Sequence, residues 1–139
     1  MTPGRIVVDT SALISMFAGE PDDRWFANVL HEADEKVMSA GSVQEFLLVS
    51  ARHARSPGQA STALAEAWAL IGFLGIEVAP VTGELALLGA GGVVDFRGSP
   101  ARLNFGDGFA YALARALGCP ILCKGNDFAA TGIEVIRPD

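Results

Sequence analysis

The sequence predicts an α/β fold in which helices cover both faces of a parallel sheet. Short apolar runs typical of buried strands alternate along the chain with longer stretches whose apolar residues recur at helical spacing. Such alternation is typical of parallel strands connected by helices. Half of the 139 residues are hydrophobic, which is enough for one core, and no linker, repeat or low-complexity tract divides the chain. We therefore expect a single domain spanning residues 1–139.

The first half of the chain begins with a strand at Arg5–Asp9, where an apolar run ends in an aspartate. A short helix is predicted at Ser11–Phe17. Apolar residues at helical spacing, with two aspartates suited to a first turn, predict a second helix at Asp22–Asp34. The next strand is predicted at Lys36–Ala40, and Ser42 begins the helix that follows it.

The second half continues the alternation after a loop at residues 56–58. Helical spacing predicts a helix at Ser61–Leu74, and a strand pattern follows at Ile76–Val81. A short helix at Glu84–Ala90 precedes a stretch, Gly91–Arg102, whose glycines and proline indicate a loop. The remaining predicted elements are a helix at Gly106–Leu117 and strands at Ile121–Lys124 and Ile133–Ile136.

The charge and the cysteines exclude several classes of function. The formal net charge is −6, which argues against a domain that binds nucleic acid by bulk electrostatics but leaves open a nuclease with an acidic metal site. Cys119 and Cys123 have no second pair and no suitably spaced histidine, so we expect buried, reduced thiols and no disulfide framework or zinc site.

Nothing in the sequence predicts a membrane or secretory destination. The longest apolar runs, such as Ala67–Ile76, are shorter than the roughly 18 residues that indicate a membrane span. The N-terminus enters a strand pattern directly, without the order of regions found in a signal peptide. We expect a cytoplasmic protein.

Four carboxylates occupy positions at which parallel sheets bind ligands. Asp9 and Asp127 follow predicted strands, while Glu45 and Asp107 stand near the starts of predicted helices. The carboxyl ends of the strands and the N-termini of the following helices meet at one edge of such a sheet, so the four side chains can converge. Clustered carboxylates stay ionised only beside a counter-charge, and oxygen ligands favour magnesium or manganese. The sequence therefore predicts a metal site suited to phosphate chemistry.

Each carboxylate also has a purely structural interpretation. Glu45 stands three residues after a serine, which is the spacing of a capping box, and Asp107 stands three residues after an asparagine. Asp9 can cap the next helix, and Asp127 can be an ordinary turn residue beside a glycine and an asparagine. Capping and metal binding are compatible, because a carboxylate held by the backbone can still face an ion.

Around these residues the chain resembles the PIN-domain nucleases, and among them the VapC toxins of toxin–antitoxin pairs. The matching segments are VVDTSAL around Asp9, SAGSVQEFLLV around Glu45, LNFGDGFAYALA around Asp107 and ILCKGNDFAATGI around Asp127. The resemblance implies a three-layer α/β/α sandwich with a short parallel sheet, and a magnesium-dependent endoribonuclease that hydrolyses RNA. Asp9 and Asp107 would bind Mg²⁺ directly, with Mn²⁺ as a possible substitute. Glu45 and Asp127 would complete the acidic quartet through water.

The resemblance also implies two protein partners, a VapB-type antitoxin and a second copy of the toxin. We expect the antitoxin to use two apolar helix faces, because they carry more large side chains than a helix pair in so small a domain needs, although burial in a shared core is the alternative. These residues are Trp25, Phe26, Val29 and Leu30 on one helix and Phe46, Leu47 and Val49 on the next. The negative charge favours a basic, amphipathic partner segment.

The chain departs from many of these relatives where RNA would be gripped. They often carry a more basic loop where this chain has DFRGSPA. The nearest basic candidates for phosphate contacts are Arg97, Arg102 and Lys124, and the alternative for each is an ordinary surface charge. Ser11, in the D-T-S position, would be a secondary polar contact.

Other functions compete with this interpretation. Response-regulator receivers and haloacid-dehalogenase phosphohydrolases also gather aspartates at strand ends. A receiver needs an acidic pair at the first strand, and the phosphohydrolase needs D-x-D, whereas Thr10 and Ser11 follow Asp9 here. A solitary PIN nuclease in RNA processing and a PIN-like binding module without activity are the remaining alternatives.

Overall fold

The computed structural model describes residues 4–138, which form a sheet of five parallel strands with six helices around it. In chain order the elements are β1 (Arg5–Val8), α1 (Thr10–Phe17), α2 (Asp23–Glu32), β2 (Glu35–Ser39), α3 (Ala40–Ala51), α4 (Pro57–Phe73), β3 (Glu77–Ala79), α5 (Gly83–Phe96), α6 (Phe105–Leu117), β4 (Ile121–Leu122) and β5 (Val135–Ile136). The strand order is β3-β2-β1-β4-β5, so the first strand lies at the centre of the sheet. The predicted α/β fold with a parallel sheet is confirmed.

Two hydrophobic cores lie on opposite faces of the sheet, because successive side chains of a strand alternate between its faces. On β1, Ile6 and Val8 belong to the core formed with α1, α2, α3 and α4, whereas Val7 belongs to the core formed with α6. All three side chains are fully buried. The resulting three layers are the α/β/α sandwich that the family resemblance implies.

The glycine-rich stretch Gly91–Arg102 is helical in its first half, so the prediction of a loop was wrong there. Two glycines of α5 allow this helix to lie directly against α6. A methyl group on Gly89 would be 2.7 Å from the carbonyl oxygen of Gly108, and one on Gly92 would overlap the Tyr111 ring. These glycines therefore mark a close contact between two helices and not a turn.

Two helices begin earlier than predicted, because each is capped by a serine that the sequence pattern did not single out. Ser56 accepts a hydrogen bond from Gln59 N at 3.1 Å, and α4 begins at Pro57, where a helix needs no N–H. Ser39 caps α3 in the same way, and α3 begins at Ala40. The apolar periodicity located both helices but missed their first turns.

Neither a disulfide nor a helix long and apolar enough to cross a membrane occurs among residues 4–138. Cys123 is buried, as predicted, whereas Cys119 is only half-buried, and both thiols are free. Burial raises the pKa of Cys123 to about 12, and the nearby Asp9 carboxylate adds to the rise. This thiol therefore stays protonated at neutral pH.

Candidate active site

The carboxyl ends of the central strands bring the four predicted carboxylates into one site. Asp9 directly follows β1, and Asp127 lies in the turn after β4, which pairs with β1. Burial raises the pKa of Asp107, on α6, to about 6. The negative charges of Asp9, Asp127 and Glu45 add to this rise, so each of the three lies close enough to act on Asp107. The four residues lie in the same region of the molecule, as the topology predicts, while their convergence on one ion and their chemical roles stay predictions.

Asp9 is the N-cap of α1, as predicted, and its carboxylate is held by a short network. Its Oδ2 accepts hydrogen bonds from the backbone N–H of Ser11 at 3.1 Å and from the Ser11 hydroxyl at 2.6 Å. Ser11 Oγ in turn accepts a bond from Lys124 N at 2.9 Å, which joins the end of β1 to the end of β4. Burial raises the pKa of Asp9, and the charge of Glu45 adds to the rise, while the Ser11 bonds oppose it.

Asp107 forms the predicted capping box with Asn104 at the start of α6. Asn104 Oδ1 accepts a bond from Asp107 N, and Asp107 Oδ2 accepts one from Asn104 N, both at 3.0 Å. The bond from the Asn104 N–H opposes the rise in the pKa of Asp107 but does not cancel it. Asp107 therefore serves as a cap and is still affected by the charges of the other carboxylates, which is compatible with the combination that the sequence left open.

Glu45 is not part of a capping box, so that structural interpretation was wrong. Because α3 begins at Ala40, after its cap Ser39, Glu45 lies in the second turn of the helix. Ser42 does not cap the helix, and its carbonyl oxygen accepts a hydrogen bond from the Thr10 hydroxyl at 3.1 Å. The Ser42 hydroxyl is buried and has no hydrogen-bond partner within the described part of the chain.

Gly106 determines where the Glu45 carboxylate can lie. A methyl group on Gly106 would overlap this carboxylate, with Glu45 Cδ only 2.8 Å away. The absence of a side chain therefore lets Glu45 approach the first turn of α6, where the helix dipole favours negative charge. The sequence analysis did not predict a role for Gly106. The signal that could have indicated one is a glycine directly before Asp107.

The turn that carries Asp127 is fixed by its neighbours. Arg137, which directly follows β5, donates from Nη1 to the Gly125 carbonyl oxygen at 3.1 Å and to the side chain of Asn126. On the other side of the exposed Asp127, the Phe128 ring is buried in the core beneath α6. Sequence reasoning missed Arg137 because its contact spans residues that are distant in the chain.

The set of oxygen donors fits a hard divalent cation. Mg²⁺ and Mn²⁺ prefer oxygen ligands, and Mg²⁺ commonly binds only one or two carboxylates and keeps several waters. The raised pKa values of Asp9 and Asp107 are those of a site whose negative charge a cation would stabilise. Among residues 4–138, no three His, Cys, Asp or Glu side chains already form a ligand group for one ion. Binding of one ion by Asp9 and Asp107, completed by water, therefore stays a prediction.

Lys124 forms ion pairs with two carboxylates but stays exposed, so a contact with phosphate stays a prediction for it. Its Nζ lies 3.1 Å from Glu20 Oε1 and 3.2 Å from Asp22 Oδ2. Lys124 thus ties the segment after α1 to the end of β4. Arg97 and Arg102 are exposed, and a contact of either with RNA stays a prediction.

The apolar faces expected to bind an antitoxin are packed largely in the core, so that expectation was wrong for all of these residues except Val49, which is half-buried and lines a groove between α3 and α6. Phe26, Leu30 and Phe46 are almost fully buried. Trp25, Val29 and Leu47 are half-buried and pack against the same cluster. The alternative of simple burial is the one that holds.

Comparison with known proteins identifies the family. The PIN domain family matches residues 6–134. The ribonuclease VapC28 of Mycobacterium tuberculosis strain H37Rv is 42% identical over 132 residues, which cover 93% of this chain and 96% of that protein. Ribonuclease VapC42 of the same strain is 34% identical, with 93% and 97% of the two chains covered.

Solved structures share the fold. The crystal structure of M. tuberculosis VapC20, described as a Sarcin-Ricin loop cleaving toxin, has a TM-score of 0.77 at 21% identity and covers 96% of this chain and 99% of its own. VapBC-5 from the same species, a toxin–antitoxin system, has a TM-score of 0.67 at 23% identity, with 98% and 100% covered. The chain therefore belongs to the PIN-domain family and, within it, to the VapC ribonucleases.

Proposed function

We propose that this protein is a metal-dependent endoribonuclease that hydrolyses RNA phosphodiester bonds as the toxin of a toxin–antitoxin pair. Its similarity to VapC ribonucleases over nearly the whole chain supports the reaction. The observation that carries the proposal is the placement of the four carboxylates: Asp9 and Asp127 follow the paired strands β1 and β4, and the Glu45 carboxylate lies against Gly106, directly before Asp107. Membership of the PIN family also excludes the receiver and phosphohydrolase alternatives.

Asp9 and Asp107 are the proposed ligands for Mg²⁺, with Mn²⁺ as a substitute. Asp9 is held by Ser11 and Asp107 by its capping box, so both carboxylates are oriented before an ion arrives. A bound divalent cation would supply Lewis-acid chemistry, making a water molecule more acidic and offsetting the charge that develops on the phosphate. Glu45 and Asp127 approach the same space from α3 and from the turn after β4, where each can orient a water by accepting its proton in a hydrogen bond.

The direct test is cleavage of a panel of structured RNAs with and without Mg²⁺. Asp9→Asn is the inactive variant for comparison, because an amide of the same shape can still accept the Ser11 hydrogen bonds but binds a hard dication poorly. Cleavage by the wild type that requires Mg²⁺ and disappears in Asp9→Asn is the expected result. Equal cleavage by both proteins, or cleavage without any divalent ion, would contradict the proposal.

The proposed regulator is a small VapB-type antitoxin that covers the site around Asp9. VapBC-5, which shares the fold, is itself a toxin–antitoxin system. The acidic site and the net charge of −6 favour a basic, amphipathic segment as the occluding part of the partner. Co-purification with the product of an adjacent small reading frame, followed by the cleavage assay, tests this. A partner that binds but leaves RNA cleavage unchanged would contradict occlusion, and the absence of a partner would favour a solitary PIN nuclease.

Homodimerisation also stays a proposal, and the structure offers a surface for it. An apolar groove of about 360 Å³ lies between α5 and α6, and none of its lining residues is charged. Leu87 and Val94 of α5 are 77% and 60% exposed, and their separation of seven residues, two helical turns, puts them on the same side of the helix. An exposed apolar patch of this kind marks a protein interface. Val94→Lys should convert a dimer to a monomer in light scattering, whereas a wild-type monomer would contradict the proposal.

The remaining alternative is a PIN-like module that binds without catalysis. The presence of all four carboxylates in one site favours the enzyme. Binding of RNA without cleavage under any divalent ion would favour the inactive module.

A further inference from the structure

A second groove, of about 340 Å³, opens between α3 and α6 directly beside the acidic site. Glu45 lines it, and so do the rings of Phe105 and Phe109. We propose that this groove is a subsite for one unpaired nucleotide of the RNA substrate, whose base stacks on Phe105. The inference rests on the proposed ribonuclease function and extends it to the way in which substrate is held.

Phe105 has the exposure expected of a stacking platform. Its side chain is 81% exposed, although it belongs to the first turn of α6, two residues before Asp107. The ring of Phe109, one turn later, supports it edge to face, with the two ring centroids 5.1 Å apart. A large aromatic ring held in position at the rim of a catalytic site matches the way proteins bind unpaired bases without reading their sequence.

The same groove holds two polar side chains suited to the rest of a nucleotide. Gln44 and Arg52 both line it and both are exposed. Arg52 forms no ion pair within residues 4–138, so its charge is available for a phosphate. It caps the C-terminus of α3, seven residues after Glu45, which is about 10 Å along the helix axis on the same side. The chain can therefore contact one phosphate near the carboxylates and another near Arg52.

The overall charge favours a site that binds RNA by stacking. A protein of net charge −6 gains little from the counterion release that drives most RNA binding, and its carboxylate cluster repels phosphates. Stacking is insensitive to this repulsion, and a single cation placed beyond the cluster adds local attraction. The subsite also explains how this chain could bind RNA although its loop at residues 95–101 is not strongly basic.

The groove between α5 and α6 supports a different use. Its lining is wholly apolar, whereas the groove between α3 and α6 combines aromatic rings with a carboxylate, an amide and a guanidinium. A second protein copy suits the first groove, and a nucleotide suits the second. Because Phe105 borders both, the test must separate RNA binding from dimerisation.

The test measures RNA binding in the Asp9→Asn background, where cleavage does not interfere. The probe is a single-stranded oligoribonucleotide with 2-aminopurine at its centre and a fluorescent label at one end, in buffer containing Mg²⁺. Phe105→Ala should weaken binding roughly tenfold and remove the quenching of 2-aminopurine, and Phe105→Trp should restore both.

Phe73→Ala is the matched control, because Phe73 is 87% exposed at the end of α4 and lines neither groove. Arg52→Ala should reduce the slope of log affinity against log salt by about 0.7.

Two results would overturn the subsite. The first is unchanged RNA affinity and unchanged quenching in Phe105→Ala. The second is a Phe105→Ala variant that changes its oligomeric state in light scattering but keeps its RNA affinity, because this would assign Phe105 to a protein interface. Failure of the proposed function gives a different result, because the wild type would then neither cleave RNA with Mg²⁺ nor bind Mn²⁺.

Discussion

The acidic site consists of two pairs of carboxylates that are held in different ways. Asp9 and Asp107 are fixed by hydrogen bonds from residues two or three positions away in the chain. Glu45 and Asp127 are instead positioned by distant parts of the sequence, Glu45 by the bare backbone of Gly106 and Asp127 through Arg137. The difference suggests a division of labour, in which locally fixed carboxylates bind the ion and remotely positioned ones adjust water around it.

The largest expected effect is that of Asp107→Asn. Loss of a direct ligand should reduce metal-dependent cleavage at least roughly a hundredfold, because changes to groups one shell further out already cost 10- to 100-fold at metal sites. The variant without metal should melt at a higher temperature than the wild type without metal, because one half-buried, repelled charge is gone. Calorimetry and the RNA assay check both effects, and full activity would contradict the proposed role.

Gly106→Ala tests the role of Glu45, one of the two carboxylates positioned by distant residues. The added methyl group would overlap the Glu45 carboxylate and displace it, and misplacement by about 1 Å at a catalytic site can reduce the rate up to roughly a hundredfold. Gly91→Ala is the matched control, because a methyl group there meets nothing within 4 Å. It should leave cleavage unchanged and stabilise α5 by about 0.5–1 kcal/mol. Equal activity of the two variants would remove Glu45 from the mechanism.

Arg137→Ala should have a smaller effect, because it loosens the turn before Asp127 without removing the carboxylate. We expect a loss of cleavage of no more than about tenfold, partly restored in Arg137→Lys. Arg5→Ala is the control, because it also removes one positive charge and one hydrogen bond, to Glu35 at the N-terminal ends of the strands, far from the acidic site. It should leave cleavage unchanged. If Arg137 acts through Asp127, its loss should have no further effect in an Asp127→Asn background. Additive losses would indicate a separate role for Arg137.

The last prediction concerns pH. The pKa of Asp107 in the folded state is about 6, above its ordinary value of 3.8, so the folded protein binds more protons than the unfolded chain between these values. The protein without metal should therefore gain stability as the pH falls through 6 towards 4. Cleavage should decline over the same range, because protons compete with the cation. Asp107→Asn should lack this contribution to the pH dependence of stability, and identical profiles for the two proteins would contradict the assignment.

The same division explains how far the sequence could predict the structure. The caps at Asp9 and Asp107 are local patterns, and both were predicted correctly. The capping box proposed for Glu45 failed because Ser39, and not Ser42, begins the helix. The glycines of α5 indicated a loop because nothing in a single sequence shows that α6 lies against them. Gly106 and Arg137 act through contacts that exist only once the sheet has formed.

The central claim is that Asp9 and Asp107 bind one divalent ion between them. Its most direct test is a crystal soaked in Mn²⁺, with anomalous scattering to locate the metal. The account predicts one strong peak within bonding distance of oxygens from both carboxylates, absent in Asp107→Asn. A peak bound elsewhere, or Asp9 and Asp107 side chains that point to different faces of the sheet, would contradict it.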